Sequence, residues 1–459
     1  MTEKTAVPDW VQEEMKYIEL GEKRLEKRLL KIISDFSQNP TASIPEFCGD
    51  WAATKATYNF FKNPTSGTEP ILLAQSGATN ARIKGLARIL ILQDTTSFDF
   101  SHHPETEGLG PLENAVCQGF FAHTSLATTP EGVPLGVLAQ QSWVRDEQTT
   151  GKRHQRHQRL IEDKESYKWL QGLTDSTQNL PTGTQAIVVS DRESDIYDYF
   201  VQPRTEQVDL LVRARHDRQL EQESRWLFLT LSSSPVQGKV TVEVGARPGQ
   251  KPRQAECQVY YQRVKLRPPR RRSAQHPKLA PVVLWAILIR EMHPPAGVDA
   301  LEWFLLSTVE ITSFEQACQF IEYYACRWII ERFHFVLKSG CQIEKRQFEH
   351  GDRLIRFLAV ANVIAWRLLW QTYLSRVDSD LPCTVVLTEV EWKALYNFIH
   401  KTALLPEELP TLGQVTAWIA KLGGFLGRKA DGPPGVQVLW QGWRRLFDIT
   451  QTWLIFNTS

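Results

Sequence analysis

Continuous apolar runs alternate with amphipathic stretches through the middle of the chain. The runs ARILILQD and TQAIVVSD, which end at Asp94 and Asp191, are typical of strands buried on both faces of a sheet. The same reasoning predicts strands in CQGFFAHTSLATT, PLGVLAQQSWV and DLLVRARH, with helices at about 165–173 and in SDIYDYFVQ. This mixed order of strands and helices predicts an α/β core.

Helical patterns flank that core on both sides. Heptad-like leucines in LGEKRLEKRLLKIISDF, and a second amphipathic segment at 50–62, predict a small helical domain over residues 1–70. Near the other end, WKALYNFIHKTALL and LGQVTAWIAKLGGF predict a helical domain over residues 376–459. Residues 71–375 then form the central domain, with a β-rich insertion at about 218–295 that contains KVTVEVGAR, AECQVYYQRVKL and PVVLWAILIREM.

One segment of the central domain, YACRWIIERFHFVLK, carries a narrow polar stripe. Four residues recur at offsets of three, seven and fourteen, which return to nearly the same angle on an α-helix: Tyr324, Arg327, Glu331 and Lys338. Apolar residues fill the opposite side, so the segment predicts one amphipathic helix. A carboxylate near a guanidinium and an ammonium can hold a metal ion while the two cations bind phosphate oxygens. This stripe suggests phosphodiester chemistry, and an exposed face with ordinary charge pairs is the alternative.

Three acidic residues, one in the stripe and one at the end of each apolar run, form a candidate catalytic set. In a ribonuclease-H-like mixed sheet, two aspartates at strand ends and a glutamate on a following helix meet around paired Mg²⁺ ions. Asp94, Asp191 and Glu331 form such a set. An aspartate after a strand can instead cap a turn, which is common in α/β proteins. The predicted fold is therefore a ribonuclease-H-like α/β domain between helical N-terminal and C-terminal domains.

Motifs around these residues resemble a known family. QDTTS at Asp94, SDRESDI at Asp191 and the Tyr-Arg-Glu-Lys signature described above resemble the DDE transposases of the insertion-sequence-four family. The likeness covers nearly the whole chain, through LGEKRLEKRLLKI, YNFFKNP, LEWFLLS, KLGGFLGRK and LWQGWRRL. It implies a homodimer that binds the double-stranded ends of a transposon and joins them to target DNA. It also implies two Mg²⁺ ions per active site, for which Mn²⁺ can substitute.

The resemblance assigns roles to single residues. It implies that the three acids are catalytic and hold both metal ions, and that the rest of the signature contacts phosphates of the transposon end: Tyr324, Arg327 and Lys338. Trp303 in LEWFLLS would stack a base flipped from the DNA, although tryptophan in an apolar strand is usually a core residue. Phe335 departs from the resembled pattern, since a close relative has a lysine between the signature glutamate and lysine, so we expect one phosphate contact fewer here.

Further basic residues are candidates for DNA contacts, each with a plain alternative as a solvated charge. In the central domain the candidates are Arg192, Arg213 and Arg215. In the N-terminal domain, end recognition would fall to residues on one helix face and at the end of YNFFKNP: Lys23, Arg24, Lys27, Arg28, Lys31 and Lys62. A loop containing Arg267, Arg270, Arg271 and Arg272 could contact the DNA backbone or serve only solubility.

Histidine pairs do not predict a zinc site. His154 and His157 have the spacing of a helical ligand pair, but no thiol or acid lies near them in sequence, and the doublet His102 and His103 is similar. These histidines are therefore interpreted as polar loop residues.

Composition limits the possible partners and the cellular compartment of the protein but does not identify its function. The chain has 459 residues and a formal net charge of +1, so any DNA-binding surface must come from local clusters of Lys and Arg. Its 7 cysteines contain no C-x-x-C pair, which favours reduced thiols in the cytoplasm, where the protein would be associated with the bacterial nucleoid when bound to DNA. We find no signal peptide and no apolar run long enough to span a bilayer, so no membrane is expected as a partner.

The sequence thus predicts a cut-and-paste transposase. By resemblance, one strand is nicked, the freed 3′-hydroxyl attacks the opposite strand to form a hairpin, the hairpin is opened, and the same hydroxyl joins target DNA. The alternative is a catalytically silent DNA-binding protein that represses or inhibits transposition. A nuclease without strand transfer is a third possibility.

Overall fold

A mixed β-sheet lies at the centre of the protein. The structure is a computed structural model and describes residues 7–114, 116–146, 159–221, 225–245, 252–270, 278–428 and 431–457. Ten strands are present in these ranges: β1 (Arg88–Asp99), β2 (Gly110–Pro111), β3 (Gln118–Thr128), β4 (Pro134–Trp143), β5 (Gln185–Ser190), β6 (Val208–Arg213), β7 (Gly238–Val244), β8 (Arg253–Leu266), β9 (Val282–Glu291) and β10 (Glu302–Ser307). Their order across the sheet is β2-β3-β1-β5-β6-β10-β9-β8-β7, and β4 pairs with β3. The strands that the apolar runs predicted are confirmed.

Strand β1 lies between β3 and β5 in the core part of the sheet. It pairs antiparallel with β3 and parallel with β5, which pairs parallel with β6. Leu90 and Leu92 face one apolar cluster while Ile89 and Ile91 face another on the opposite side. Because helices cover both faces, residues 89–92 of this strand are all apolar and show no alternation with polar residues.

The β-rich insertion does not form a separate sheet. Strand β10 pairs with β6 on one side and with β9 on the other, and β9, β8 and β7 then follow as antiparallel neighbours. The insertion therefore extends the core sheet, because the free edge of β10 continues its hydrogen bonding into β9.

Helices cover both faces of the sheet. One face carries α6 (Tyr167–Thr177), α7 (Tyr197–Val201) and α8 (Leu227–Ser232). The other carries α9 (Phe314–Ala325), α10 (Trp328–Phe335) and α11 (Gly351–Val377). A ribonuclease-H-like α/β architecture with a mixed sheet is the result, as the sequence predicted.

Helical regions lie at both ends of the chain. The first contains α1 (Asp9–Glu14), α2 (Lys23–Gln38), α3 (Ile44–Cys48), α4 (Trp51–Lys62) and α5 (Thr68–Ile83). The last contains α12 (Glu389–His400), α13 (Leu412–Leu422) and α14 (Val436–Asn457), which share a small apolar cluster of their own.

The long helix α11 corrects one expectation. It is apolar and long enough to cross a membrane by length and composition, whereas the sequence reading found no such stretch. In the structure, 83% of its most apolar window is buried against the rest of the protein. This burial is typical of the central helix of a globular core, where every side of the helix contacts protein.

Arg346 connects the N-terminal helices to the core. Its buried guanidinium donates to the carbonyl oxygens of Ala42, Pro40 (3.0 Å) and Cys341 (2.6 Å). The same group lies 5.0 Å from the ring centroids of Phe36 and Phe357. A cation buried in this way is stabilised by the carbonyls that it satisfies and by the faces of the two rings.

We expect Arg346→Ala to destabilise the protein by about 3 kcal/mol or more, because buried carbonyl groups lose their donors. Urea unfolding followed by circular dichroism measures the change. Arg428→Ala is the control, because Arg428 is exposed and pairs with Asp431 on the surface. Equal urea midpoints for Arg346→Ala and the control would show that this connection does not stabilise the fold.

Candidate active site

Two of the predicted acids lie side by side on the sheet. In the parallel pair of β1 and β5, Gln93 is opposite Ser190, so the next residues, Asp94 and Asp191, continue the same register. Both side chains point to the face covered by α9, α10 and α11, because residues two positions earlier in each strand do so. Adjacent strands are about 4.8 Å apart, which places the two carboxyl groups next to each other.

The strand-end prediction is right for only one of these acids. Strand β5 ends at Ser190, but β1 continues beyond Asp94 to Asp99 and remains paired with β3. The sequence pattern placed the end of β1 too early because the polar residues after Asp94 resemble a loop. Asp94 therefore lies where β1 loses its parallel neighbour, which opens the sheet on that side.

Asp191 also has the structural role that was its alternative. Its Oδ1 accepts a hydrogen bond from the backbone N–H of Glu193 at 2.8 Å and caps a 3₁₀ turn at Arg192–Ser194. This bond fixes the orientation of the carboxylate. Capping and metal binding are thus compatible at this residue.

The signature segment is not one α-helix. Helix α9 ends at Ala325, Arg327 is the N-cap of α10, and Lys338 lies in a π-helical turn at Val336–Gly340. At the junction, the N–H of Arg327 bonds to the carbonyl of Tyr324, three residues earlier, at 3.0 Å. A turn of this kind has three residues rather than 3.6, so it rotates α10 relative to α9, while Tyr324 still interacts with Arg327 and Asp191.

Glu331 is held by its neighbour in the signature. The Nη2 of Arg327 donates to Oε1 of Glu331 at 2.7 Å, and Arg327 itself is only 6% exposed. Burial raises the pKa of Asp94 to about 7, the positive charge of Arg327 opposes this rise, and the negative charges of Asp191 and Glu331 add to it. The three acids and Arg327 therefore form one electrostatic cluster.

This cluster is not yet a metal-binding set. Within the described ranges, no group of three or more His, Cys, Asp and Glu side chains is close enough to hold a metal ion. The carboxylate of Glu331 is turned towards Arg327. Its donor chemistry nevertheless fits a hard divalent cation, because all three acids offer oxygen and the buried Asp94 carboxyl needs positive charge to ionise.

Two residues expected to contact DNA are buried. Tyr324 is 2% exposed and its hydroxyl interacts with the guanidinium of Arg213, while burial raises its pKa. Trp303 is 7% exposed and its ring lies 5.0 Å from that of Tyr324, nearly edge to face. Trp303 is thus a core residue here, the alternative that its apolar strand indicated.

Trp328 is a candidate that the sequence analysis missed. It is 45% exposed and lies beside Glu331 on a cavity of about 1060 Å³, which Trp303, Phe335 and Tyr373 also line. The Arg327 guanidinium lies 4.6 Å from its ring centroid. A tryptophan at a polar-stripe position of the predicted helix was the signal in the sequence.

The other basic residues predicted to contact DNA are exposed or half-buried. Arg192, Arg215 and Lys62 are exposed, whereas Arg213 is half-buried and donates to the carbonyl of Glu302 at 3.0 Å. Lys338 is half-buried, 3.6 Å from Glu344. Along α2, a shallow depression is lined by Lys23, Arg24, Lys27, Arg28 and Lys31.

Some residues named in the sequence analysis lie outside the described residues, and others do not belong to the cluster of acids. His154, His157, Arg271 and Arg272 belong to segments that the structure does not describe. His103 contacts the carbonyl oxygen of Glu344 at 3.0 Å, and among the described residues neither it nor His102 belongs to a metal-binding group.

Three family models match the chain. A transposase DNA-binding model matches residues 8–66, a transposase DDE domain model matches residues 166–367, and a transposase Tn5 dimerisation domain model matches residues 363–451. The DDE match includes Asp191 and Glu331, while Asp94 lies before it. Together the three models follow the order of helical, mixed and helical regions in the fold.

The two tryptophans of the cavity should respond differently to truncation. We expect Trp303→Ala to destabilise the fold by about 3–5 kcal/mol, because a buried ring leaves a cavity. Trp328→Ala should leave stability nearly unchanged and weaken the binding of single-stranded DNA, since an exposed ring can stack on a base. Urea unfolding and fluorescence anisotropy measure the two effects. Loss of stability in Trp328→Ala with none in Trp303→Ala would reverse this assignment.

Proposed function

The chain belongs to the Tn5-like DDE transposases, and we propose that it excises its element by nicking, hairpin formation and hairpin opening before joining the 3′-hydroxyl ends to target DNA. DDE transposases depend on divalent metal ions to cut and join phosphodiesters. DNA is the partner of this protein, and its assembly is a homodimer. The proposal concerns the reaction path and the residues that perform it.

The observation that carries the proposal is the placement of Asp94 on β1 beside Asp191, which directly follows β5, with both facing the helix that bears Glu331. We propose that these three carboxylates hold two Mg²⁺ ions, for which Mn²⁺ can substitute. When bound, such ions activate a water or a 3′-hydroxyl and stabilise the leaving oxygen. Reusing one acid set for hydrolysis and for strand transfer requires only a change of the attacking oxygen.

Arg327 must exchange one partner for another in this proposal. In the structure its guanidinium binds Glu331, which keeps that carboxylate away from the other acids. A phosphate of the scissile strand can take the place of Glu331 on Arg327, because guanidinium binds phosphate in a bidentate manner. Glu331 would then be free to complete the metal site, with Lys338 as a second cation near the phosphates.

DNA recognition is proposed for two surfaces. The basic depression on α2, with Arg24 and Arg28, suits the phosphates and groove edges of the transposon end. Exposed Arg192 and Arg215 follow the strands that end beside the acids, so they suit the DNA that leads into the site. Base stacking, first expected at Trp303, is proposed for the cavity that the exposed Trp328 shares with it.

We propose a division of labour along the chain. Residues 1–70 bind the transposon end, residues 71–375 perform catalysis, and residues 376–459 support dimerisation. Helix α11 crosses the last boundary, since the dimerisation match begins at residue 363 inside it. In the dimer, each catalytic site would act on the DNA end held mainly by the partner subunit.

A cleavage assay tests the reaction path. Full-length protein is mixed with Mg²⁺ and a labelled duplex that carries the inverted repeat found beside the coding region, and the products are separated on a denaturing gel. We expect nicked, hairpin and joined products from the wild type. Asp191→Asn should lose all of them by a factor of about 10³ or more while still binding DNA, because a metal ligand is removed. Binding without products in the wild type would favour the repressor, and nicking alone would favour the nuclease.

The α2 surface makes a separate prediction. In the double variant Arg24→Ala with Arg28→Ala, the slope of log affinity against log salt concentration should fall by about two, because two phosphate contacts are lost. Fluorescence anisotropy between 50 and 200 mM salt, roughly the range in which such slopes are resolved, provides the measurement. Lys16→Ala is the control, since Lys16 is exposed nearby and pairs with Glu13. An unchanged slope in the double variant would remove α2 from the DNA interface.

A further inference from the structure

A buried histidine lies directly beside one of the catalytic acids. His334 follows Glu331 by three positions on α10, so the two side chains lie on neighbouring parts of the same helix face. The Nδ1 of His334 is 3.9 Å from Oδ2 of Asp94. This histidine belongs neither to the acid set nor to the basic residues of the signature.

The two ring nitrogens of His334 have different surroundings, and these decide which of them carries the hydrogen. Its side chain is 7% exposed, and its Nε2 is buried without a hydrogen-bond partner. Among the described residues Nε2 has no hydrogen-bond partner, whereas Nδ1 faces the carboxylate of Asp94. A hydrogen on Nδ1 therefore has an acceptor that a hydrogen on Nε2 lacks, which favours the tautomer with its hydrogen on Nδ1.

Asp94 needs such a donor if it is to bind a cation. Its carboxyl group is buried, and the backbone N–H of Thr95 is the donor that interacts with it most directly. Metal-binding carboxylates are commonly held by additional hydrogen bonds that fix their orientation, and removal of these partners weakens metal binding. A neutral imidazole supplies a hydrogen without adding a charge that would repel the cation.

We propose that His334 is a positioning residue, whose Nδ1–H orients the carboxylate of Asp94 for binding of the divalent cation. The inference rests on the assignment of Asp94 as a metal ligand under the proposed function. A shift of about 1 Å brings the nitrogen and oxygen atoms to hydrogen-bond distance, and such bonds commonly shorten when an active site is completed.

A direct role of His334 as a metal ligand is the competing explanation. Mg²⁺ prefers oxygen ligands, whereas imidazole suits Mn²⁺ less well than Zn²⁺ or Co²⁺. In the structure Nδ1 is 3.9 Å from Oδ2 of Asp94, so the ring lies close enough either to donate to that carboxylate or to share a cation with it. Two substitutions of His334 separate the two explanations.

The experiment measures Mn²⁺ binding to the full-length protein by electron paramagnetic resonance, and DNA cleavage alongside it. His334→Leu fills the space without a donor and should weaken Mn²⁺ binding about 10–100-fold. His334→Asn carries an amide N–H near the position of Nδ1 and should restore most of the affinity. Thermal unfolding of both variants should stay close to wild type, because neither leaves the unpartnered Nε2 in the core.

Controls distinguish failure of this inference from failure of the proposed function. His350→Leu removes a matched histidine, 3.4 Å from Glu107 on the surface, and should not change Mn²⁺ binding. Wild-type Mn²⁺ affinity in Asp94→Asn would overturn the assignment of Asp94 itself. If Asp94→Asn loses Mn²⁺ but His334→Leu retains it, His334 has no positioning role. Equal losses in the Leu and Asn variants would identify the ring as a direct ligand instead.

Discussion

The parallel pairing of β1 with β5 is the constraint on which the candidate active site depends. Asp94 lies in β1 and Asp191 directly follows β5, so the pairing places both on one face, where the helix α10 covers them. Burial is the largest cause that raises the pKa of Asp94, and the negative charges of Asp191 and Glu331 add to it. A divalent cation beside Asp94 would favour its ionised form.

Arg327 supplies positive charge in the absence of other cations. Its buried guanidinium bonds to Glu331 and also acts on Asp94, so one residue partly balances two acids. In the structure this bond turns Oε1 of Glu331 towards Arg327, and the described residues contain no assembled three-ligand group. Under the proposed function, a DNA phosphate on Arg327 would release Glu331 to complete the site, which would link catalysis to a bound substrate.

The rest of the fold holds these groups in place. Helix α11 contacts the N-terminal helices, the sheet and the C-terminal helices, and its burial on nearly all sides makes it the common core of the three regions. Buried Arg346 joins the loop after α2 to the segment that follows Lys338. Phe335 packs against Trp440 of α14 and so connects α10 to the C-terminal region.

The sequence by itself determined the α/β class, the positions of the buried strands and the three acids, because apolar runs, helical periodicity and carboxylate chemistry are local properties of the chain. It could not show that β1 continues past Asp94, since the partner that sustains it is β3, nor that the β-rich insertion joins the core sheet through β10. Only the tertiary structure turned Tyr324 and Trp303 into the core, left Trp328 at the surface and brought His334 to Asp94. These positions depend on how β10, α9 and α10 pack together across the sheet, which local periodicity along the chain does not specify.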